Sequence, residues 1–110
     1  MEKAALNRIV RTIYRRLRDP GFVVKLRRLK DCQGRISVSA SDDQIVEIAL
    51  RPDCQLIPTV IHEVLHSMNM LLPEQHVLSL EREVMANLSH RRMANIVIAT
   101  GKALKRSIER

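Results

Sequence analysis

The sequence predicts an α+β fold, in which an N-terminal helix and a small three-stranded antiparallel sheet precede two further helices and a basic helical tail. Apolar side chains recur at helical spacing over residues 2 to 18 and again after residue 57. Between these stretches, three short runs rich in β-branched residues are separated by polar turns. The 110 residues suffice for one modest hydrophobic core, so we expect a single domain over residues 1 to 110.

The N-terminal helix is predicted within residues 1 to 20. Its apolar side chains recur every three or four positions, at Leu6, Ile9, Val10, Ile13 and Leu17. The opposite face carries four arginines, Arg8, Arg11, Arg15 and Arg18. The turn-forming residues Asp19, Pro20 and Gly21 are expected to end this helix.

The small sheet is predicted within residues 22 to 50. Its three runs are residues 22–29, 35–40 and 45–50. The last two runs alternate apolar and polar side chains, and short polar segments at residues 30–34 and 41–44 separate the three. Short connections of this kind predict an antiparallel meander.

Two helices and a tail are predicted after the sheet. Pro58 fits the first turn of a helix over residues 57–70, because a proline is tolerated where amides have no partner within the helix. Pro73 and Glu74 then suit the start of a second helix, predicted over residues 73–100. Gly101 weakens the pattern, and residues 101–110 read as a short basic tail.

The net charge of +7 is distributed unevenly along the chain. Residues 1–35 carry +8, residues 36–83 carry −6 and residues 84–110 carry +5. The basic ends could bind nucleic acid, an acidic partner or the acidic centre of the chain itself, or they could be solvated helix faces. Because aromatic residues make up only 2% of the sequence, a stacking surface for single strands is not expected.

The composition indicates a cytoplasmic, non-membrane protein. No uncharged apolar run approaches the roughly 20 residues that cross a bilayer, and the charged N-terminus does not resemble a signal peptide. Cys32 and Cys54 lie far apart in the sequence and form no CxxC pair, so we expect two reduced thiols.

The segment HEVLH contains the strongest chemical signal. Side chains four positions apart project from the same side of a helix, so His62 and His66 can direct two imidazoles at one cation. Glu63 is rotated by about 100° and can instead reach a water bound to that cation. The alternative is that both histidines are polar positions beside a core stripe.

A catalytic zinc site usually has three protein ligands, and four downstream residues are candidates for the third. Glu81 lies on the apolar face of its helix at the same distance from the turn as the histidines, so it is favoured. Glu83 shares the polar face with His76 and His90, and these three residues remain as alternatives.

His62, Glu63, His66 and Glu81 together resemble the gluzincin class of zinc metallopeptidases, in the manner of a small minigluzincin or phage-type member. The resemblance implies a minimal zincin-like core with one zinc ion per chain and a bound water that attacks a peptide carbonyl. Glu63 would then be the general base, and the strand at residues 45–50 could be an edge strand that pairs with an extended peptide.

The function expected from this resemblance is that of a zinc-dependent endopeptidase acting on a protein or peptide substrate. The alternative is an accessory protein without catalytic activity, which holds a structural metal or binds DNA or a partner through its basic surface. Tyr14, His76 and His90 are candidates for stabilising the oxyanion. The basic tail could also lie over an acidic cleft.

Overall fold

The structure, a computed structural model, describes residues 2–27, 29, 34–38, 46–50, 55–69 and 71–109, with the backbone alone described for residues 35–38 and 46–50. The elements in chain order are α1 (Lys3–Arg18), β1 (Phe22–Leu26), β2 (Gly34–Val38), β3 (Val46–Leu50), α2 (Leu56–Met68), α3 (Glu74–Asn87) and α4 (His90–Glu109). Cys32, Cys54 and the predicted turn at residues 41–44 lie outside the described residues.

The predicted fold class is wrong, because the described part of the protein is mostly helical and its sheet is mixed rather than antiparallel throughout. Over the described ranges, helices of 16, 13, 14 and 20 residues accompany three strands of five residues each. The strand order is β1-β3-β2. β3 pairs with β2 in the antiparallel direction, with Ile36 opposite Ile48, but it pairs with β1 in the parallel direction, with Val24 opposite Ile48.

The burial of β1 explains why the predicted meander fails. Phe22, Val23 and Val24 are consecutive and all buried, so both faces of this strand are covered. Continuous apolar runs of this kind are typical of parallel strands, whereas antiparallel strands with one solvated face alternate. The strand order places β3 at the centre of the sheet, so the prediction that it forms an edge strand is wrong.

Helix α1 matches the predicted N-terminal segment. Leu6, Val10, Ile13 and Leu17 are its buried residues. The helix ends at Arg18 because Pro20 forces the preceding residue, Asp19, into an extended conformation with φ −69° and ψ 124°. The Gly21 amide then donates to the Asp19 Oδ1 atom at 2.8 Å, which fixes the turn into β1.

Helices α2 and α3 form a hairpin that is closed by Asn69. The Leu71 amide donates to the Asn69 side-chain oxygen at 3.1 Å, and the Leu72 amide donates to its carbonyl at 3.2 Å. Pro73 is the N-cap of α3, and Glu74 is its first residue. The turn therefore places the start of α3 beside the end of α2.

The structure does not have the predicted helix over residues 73–100 followed by a separate tail. The chain leaves helical geometry at Leu88, and Ser89 begins α4 by accepting the Arg92 amide on its hydroxyl oxygen at 3.2 Å. Gly101 lies inside α4, which continues to Glu109. The predicted tail is thus the last part of a 20-residue helix.

Helix α4 runs parallel to α1 and packs against it. Near their N-terminal ends, Arg92 donates to the Asn7 side-chain oxygen at 2.6 Å. Near their C-terminal ends, Arg106 donates to the Leu17 carbonyl at 2.9 Å. The basic end of the chain is therefore fixed on α1, rather than laid over the histidines of α2.

One hydrophobic core joins the four helices and β1. Its fully buried side chains come from each of these elements and include Ile13, Leu17, Val24, Val60, Ile61, Val64, Leu65, Val77, Val84 and Ile96. Among the described residues, no helix is both long and apolar enough to cross a lipid bilayer.

Candidate metal centre

Helix α2 holds the HEVLH segment rigidly, because its other face is buried in the core. Val60, Ile61, Val64 and Leu65 are at most 2% exposed. His62 and His66 lie one turn apart at the margin of this buried face. Their ring centroids are 4.8 Å apart and the rings are inclined at 71°.

Glu74 connects the two histidines. Its Oε1 atom lies 2.7 Å from the Nε2 atom of His62, and its Oε2 atom lies 2.8 Å from the Nε2 atom of His66. Of the described residues, His62, His66 and Glu74 form a group whose potential ligand atoms all lie within 4.8 Å of one another. We refer to these three residues as the His–His–Glu cluster.

The reach of Glu74 follows from its position in the hairpin. Helical side chains tilt toward the N-terminus of their helix, so the first residue of α3 projects back over the turn. The turn at Asn69 brings that end of α3 next to the last turn of α2, where His66 lies. A glutamate side chain is long enough to span the remaining gap to both rings.

Glu81 supports the cluster from the other side of His62. Its Oε1 atom lies 2.9 Å from the Nδ1 atom of His62. Glu81, which the sequence favoured as third ligand, is therefore brought to His62 but is not a member of the His–His–Glu cluster. A carboxylate at Nδ1 keeps the proton on that nitrogen and leaves the Nε2 lone pair for a cation.

The contacts of His62 raise a question of proton count. A neutral imidazole carries one N–H and cannot donate to two carboxylates. Both nitrogens of His62 nevertheless lie within hydrogen-bonding distance of a carboxylate oxygen. One of the two contacts therefore needs either a further proton or a cation between the nitrogen and the carboxylate.

The cluster fits a divalent transition metal. Two imidazole nitrogens and one carboxylate are a donor set found at catalytic zinc sites, where a fourth position stays open. Two ligands of a tetrahedral zinc ion lie about 3.3 Å apart, which is longer than the observed 2.7 and 2.8 Å. A small outward shift of Glu74 accommodates this difference, and its side chain, 60% exposed, is free to make it.

The side chain of Glu63 packs between its own helix, α2, and strand β2. It is only 6% exposed, and its Cγ atom would be 2.9 Å from a Cβ atom added at Gly34. Burial raises the pKa of the Glu63 carboxyl above its ordinary value of 4.5, and the charge of Glu74 also raises it. His62 and His66 act in the opposite direction, but burial is the largest effect. Glu63 directly follows His62 in α2, so the charges of the neighbouring His–His–Glu cluster act on its carboxyl.

The remaining candidate residues lie elsewhere. Glu83 is half-buried on α3 and does not belong to the cluster, while His76 and His90 are exposed. Tyr14 lies on α1, with its ring 5.3 Å from the Arg18 guanidinium. The structure therefore does not bring any of the three candidates for oxyanion stabilisation into the described contacts of the cluster.

A simple sequence signal would have pointed to Glu74. It precedes Glu81 by seven residues, which is close to two helical turns, so the two carboxylates share one face of α3. If Glu81 faces α2, Glu74 must face it as well. Its place at the start of the predicted helix indicated only an acid at a helix N-terminus.

These contacts define a three-residue group able to hold a metal ion, with a buried carboxyl beside it. Comparisons of the chain with protein-family models, with curated proteins and with solved structures found no match.

Gly34→Ala should destabilise the fold, because the added Cβ atom would lie 2.8 Å from the Thr59 Cγ2 atom and 2.9 Å from the Glu63 Cγ atom. We expect the free energy of unfolding, measured with urea, to fall by about 1–3 kcal/mol. Gly101→Ala is the matched control, since its added Cβ atom meets nothing within 4 Å. That control should be neutral or stabilising by up to about 1 kcal/mol, and equal losses in both variants would contradict the close packing of β2 on α2.

Glu63→Gln should change how stability depends on pH in the metal-free protein. Because burial raises the pKa of Glu63, the folded state holds this proton more tightly than the unfolded chain does. The stabilisation from this proton is complete below the ordinary pKa of 4.5 and is lost as the pH rises through the folded pKa. The free energy of unfolding of the variant, minus that of the wild type, should therefore increase as the pH rises from acidic to neutral. Urea titrations with a chelator test this, and a difference that falls with pH would contradict it.

Proposed function

We propose that this protein is a zinc-dependent peptide hydrolase of the gluzincin type. The observation that carries the proposal is the convergence of His62, His66 and Glu74 beside the buried carboxyl of Glu63. A zinc ion bound there would supply Lewis acidity, which acidifies a water and polarises the substrate carbonyl. Zinc is favoured over calcium or magnesium because two of the three donors are imidazole nitrogens.

Glu63 is the proposed general base. A base works best when its pKa approaches the working pH, and burial shifts the pKa of Glu63 in that direction. Its carboxylate accepts a proton from the attacking water and then donates it to the leaving amine nitrogen. The core residues next to it in α2 keep the carboxylate in place during both transfers.

Glu81 is the proposed positioning residue for His62. By accepting the Nδ1 proton at 2.9 Å, it fixes the orientation of the ring and directs Nε2 toward Glu74. This role is distinct from that of a ligand, because Glu81 contacts the nitrogen that faces away from the other two members of the cluster.

The substrate class is inferred from the sheet. Of the three described strands, β3 has a neighbour on either side, so an extended peptide can add at β1 or β2 but not at β3. β2 begins at Gly34, which lies against Glu63, so its outer edge is the one next to the proposed base. An extended segment of a protein substrate is therefore the proposed ligand of this edge.

Glu74→Gln should lose metal affinity far more than Glu81→Gln. The first change removes an anionic ligand, whereas the amide oxygen introduced by the second change can still accept the Nδ1 proton of His62. We expect the zinc dissociation constant to rise more than about 100-fold for Glu74→Gln and by about 10-fold for Glu81→Gln. Competition titrations with a zinc chelator would measure both, and Co²⁺ absorption spectra would report the loss of a ligand.

The matched control is Glu83→Gln, which removes a carboxylate from the same helix but outside the cluster. It should leave zinc affinity unchanged. If Glu81→Gln abolished binding while Glu74→Gln retained it, Glu81 rather than Glu74 would be the third ligand.

Glu63→Gln should separate catalysis from metal binding. The variant should retain one zinc ion per chain by elemental analysis, because Glu63 is not in the cluster, and should hydrolyse peptide at least about 100-fold more slowly. Fluorescein-labelled casein and a quenched random-peptide library are suitable probes. A protein that binds zinc but whose peptide hydrolysis does not depend on Glu63 would contradict the proposal and favour a structural metal.

A further inference from the structure

Helices α1 and α4 bring the two basic ends of the chain together. α1 contains six Lys/Arg residues and no acid, and α4 contains five Lys/Arg residues and one acid, Glu109. The two helices run side by side and parallel, joined by Arg92 to Asn7 and by Arg106 to Leu17. Charge that is split along the sequence therefore becomes one strongly positive surface.

The exposed cations of α1 form a straight row. Its members, which are the exposed arginines opposite the buried stripe, are Arg8, Arg11, Arg15 and Arg18. We refer to them as the arginine row. At 1.5 Å per residue the row is about 15 Å long. Among the described residues, the ion pairs found do not involve any member of this row.

A groove of about 120 Å³ lies beside the arginine row, between α1 and α4. Its lining combines apolar surface from Val10 and Ile96 with donor side chains from both helices, which are Arg11 and Tyr14 on α1 and Arg92 and Asn95 on α4. Arg92 uses one N–H group to bind Asn7, and an arginine has five such groups. The groove thus offers several donors to an anionic oxygen.

We propose that the arginine row and the adjoining groove between α1 and α4 bind the phosphate backbone of duplex nucleic acid. Duplex DNA carries one charge about every 1.7 Å of helix axis on its two strands together, so each of the four guanidinium groups in a row of about 15 Å has a phosphate within reach. Arg11 and Arg92 flank the groove and contact the central phosphate. Contacts of this kind read the backbone and not the base sequence.

The surface favours a duplex over other polyanions. Single strands are held by aromatic side chains on which bases stack, and Tyr14 is the one aromatic residue of these two helices. An anionic membrane needs apolar side chains to insert next to the cations. The exposed apolar side chains of this surface, such as Ile98, lie on α4, whereas the arginine row lies on the outward face of α1. Regularly spaced phosphates fit regularly spaced guanidinium groups, which bind phosphate in a bidentate manner.

Fluorescence anisotropy with a labelled 20-base-pair duplex tests the proposal on the full chain. The logarithm of the association constant should fall linearly with the logarithm of salt concentration, with a slope of about −4 for four to five phosphate contacts. Two duplexes of unrelated sequence should bind equally. Arg11→Gln should weaken binding about fivefold to tenfold near 100 mM salt and reduce the slope by about 1.

The matched control is Arg82→Gln, which removes one exposed positive charge from α3, outside this surface. It should change the affinity less than about twofold. Circular dichroism of both variants establishes that the helices are retained. A double variant, Arg11→Gln with Arg15→Gln, should reduce the slope by about 2.

Several outcomes would overturn the proposal. The first is that the protein does not bind duplex at 50 mM salt. The second is that Arg11→Gln and Arg82→Gln reduce duplex affinity equally. The third is that the protein binds phosphatidylserine vesicles or polyglutamate more tightly than duplex under the same conditions. Because each readout is independent of zinc content and of peptide hydrolysis, the result does not depend on the proposed enzymatic activity.

Discussion

The contact of one carboxylate with two imidazoles is the interaction on which the functional arrangement depends. Glu74, the first residue of α3, contacts the last two turns of α2. It can reach them because the turn at Asn69 is short. Two negatively charged groups, Glu74 and Glu81, converge on His62, so the region requires positive charge. A divalent cation bound where the Nε2 atoms meet the carboxylate would supply that charge.

The rest of the fold holds this hairpin in position. The buried face of α2 packs on the sheet and on the other helices, so the helix cannot rotate about its axis. His62 and His66, at the margin of this face, are therefore held in one direction. Gly34 permits β2 to approach α2 so closely that Glu63 is removed from water. The same packing that stabilises the core therefore raises the pKa of the carboxyl next to the cluster.

The local parts of this arrangement could be predicted from the sequence. The spacing of His62 and His66 along a helix with an apolar face fixed their common direction, and helix α1 follows its apolar repeat. Glu74 was missed although it shares a face of α3 with Glu81, because its contact with both histidines also depends on a turn formed by the Asn69 side chain and on the reach of a long side chain. The order of the strands was missed because β1 pairs with a strand more than 20 residues away, and periodicity within a strand does not report its partner. The three consecutive apolar residues at the start of β1 were the signal in the sequence for a parallel strand.

The His–His–Glu cluster and Glu81 all lie within one helical hairpin, between residues 62 and 81. Ligands so close along the chain remain near each other even when the protein is denatured, since closing a short loop has a small entropic cost. If the folded protein binds a cation here, the unfolded chain would therefore retain part of that affinity. A cation that binds both the folded and the unfolded chain stabilises both, so the free energy of unfolding rises less than it would if only the folded state bound. Saturating metal would therefore raise the melting temperature by less than the affinity of the folded protein alone implies.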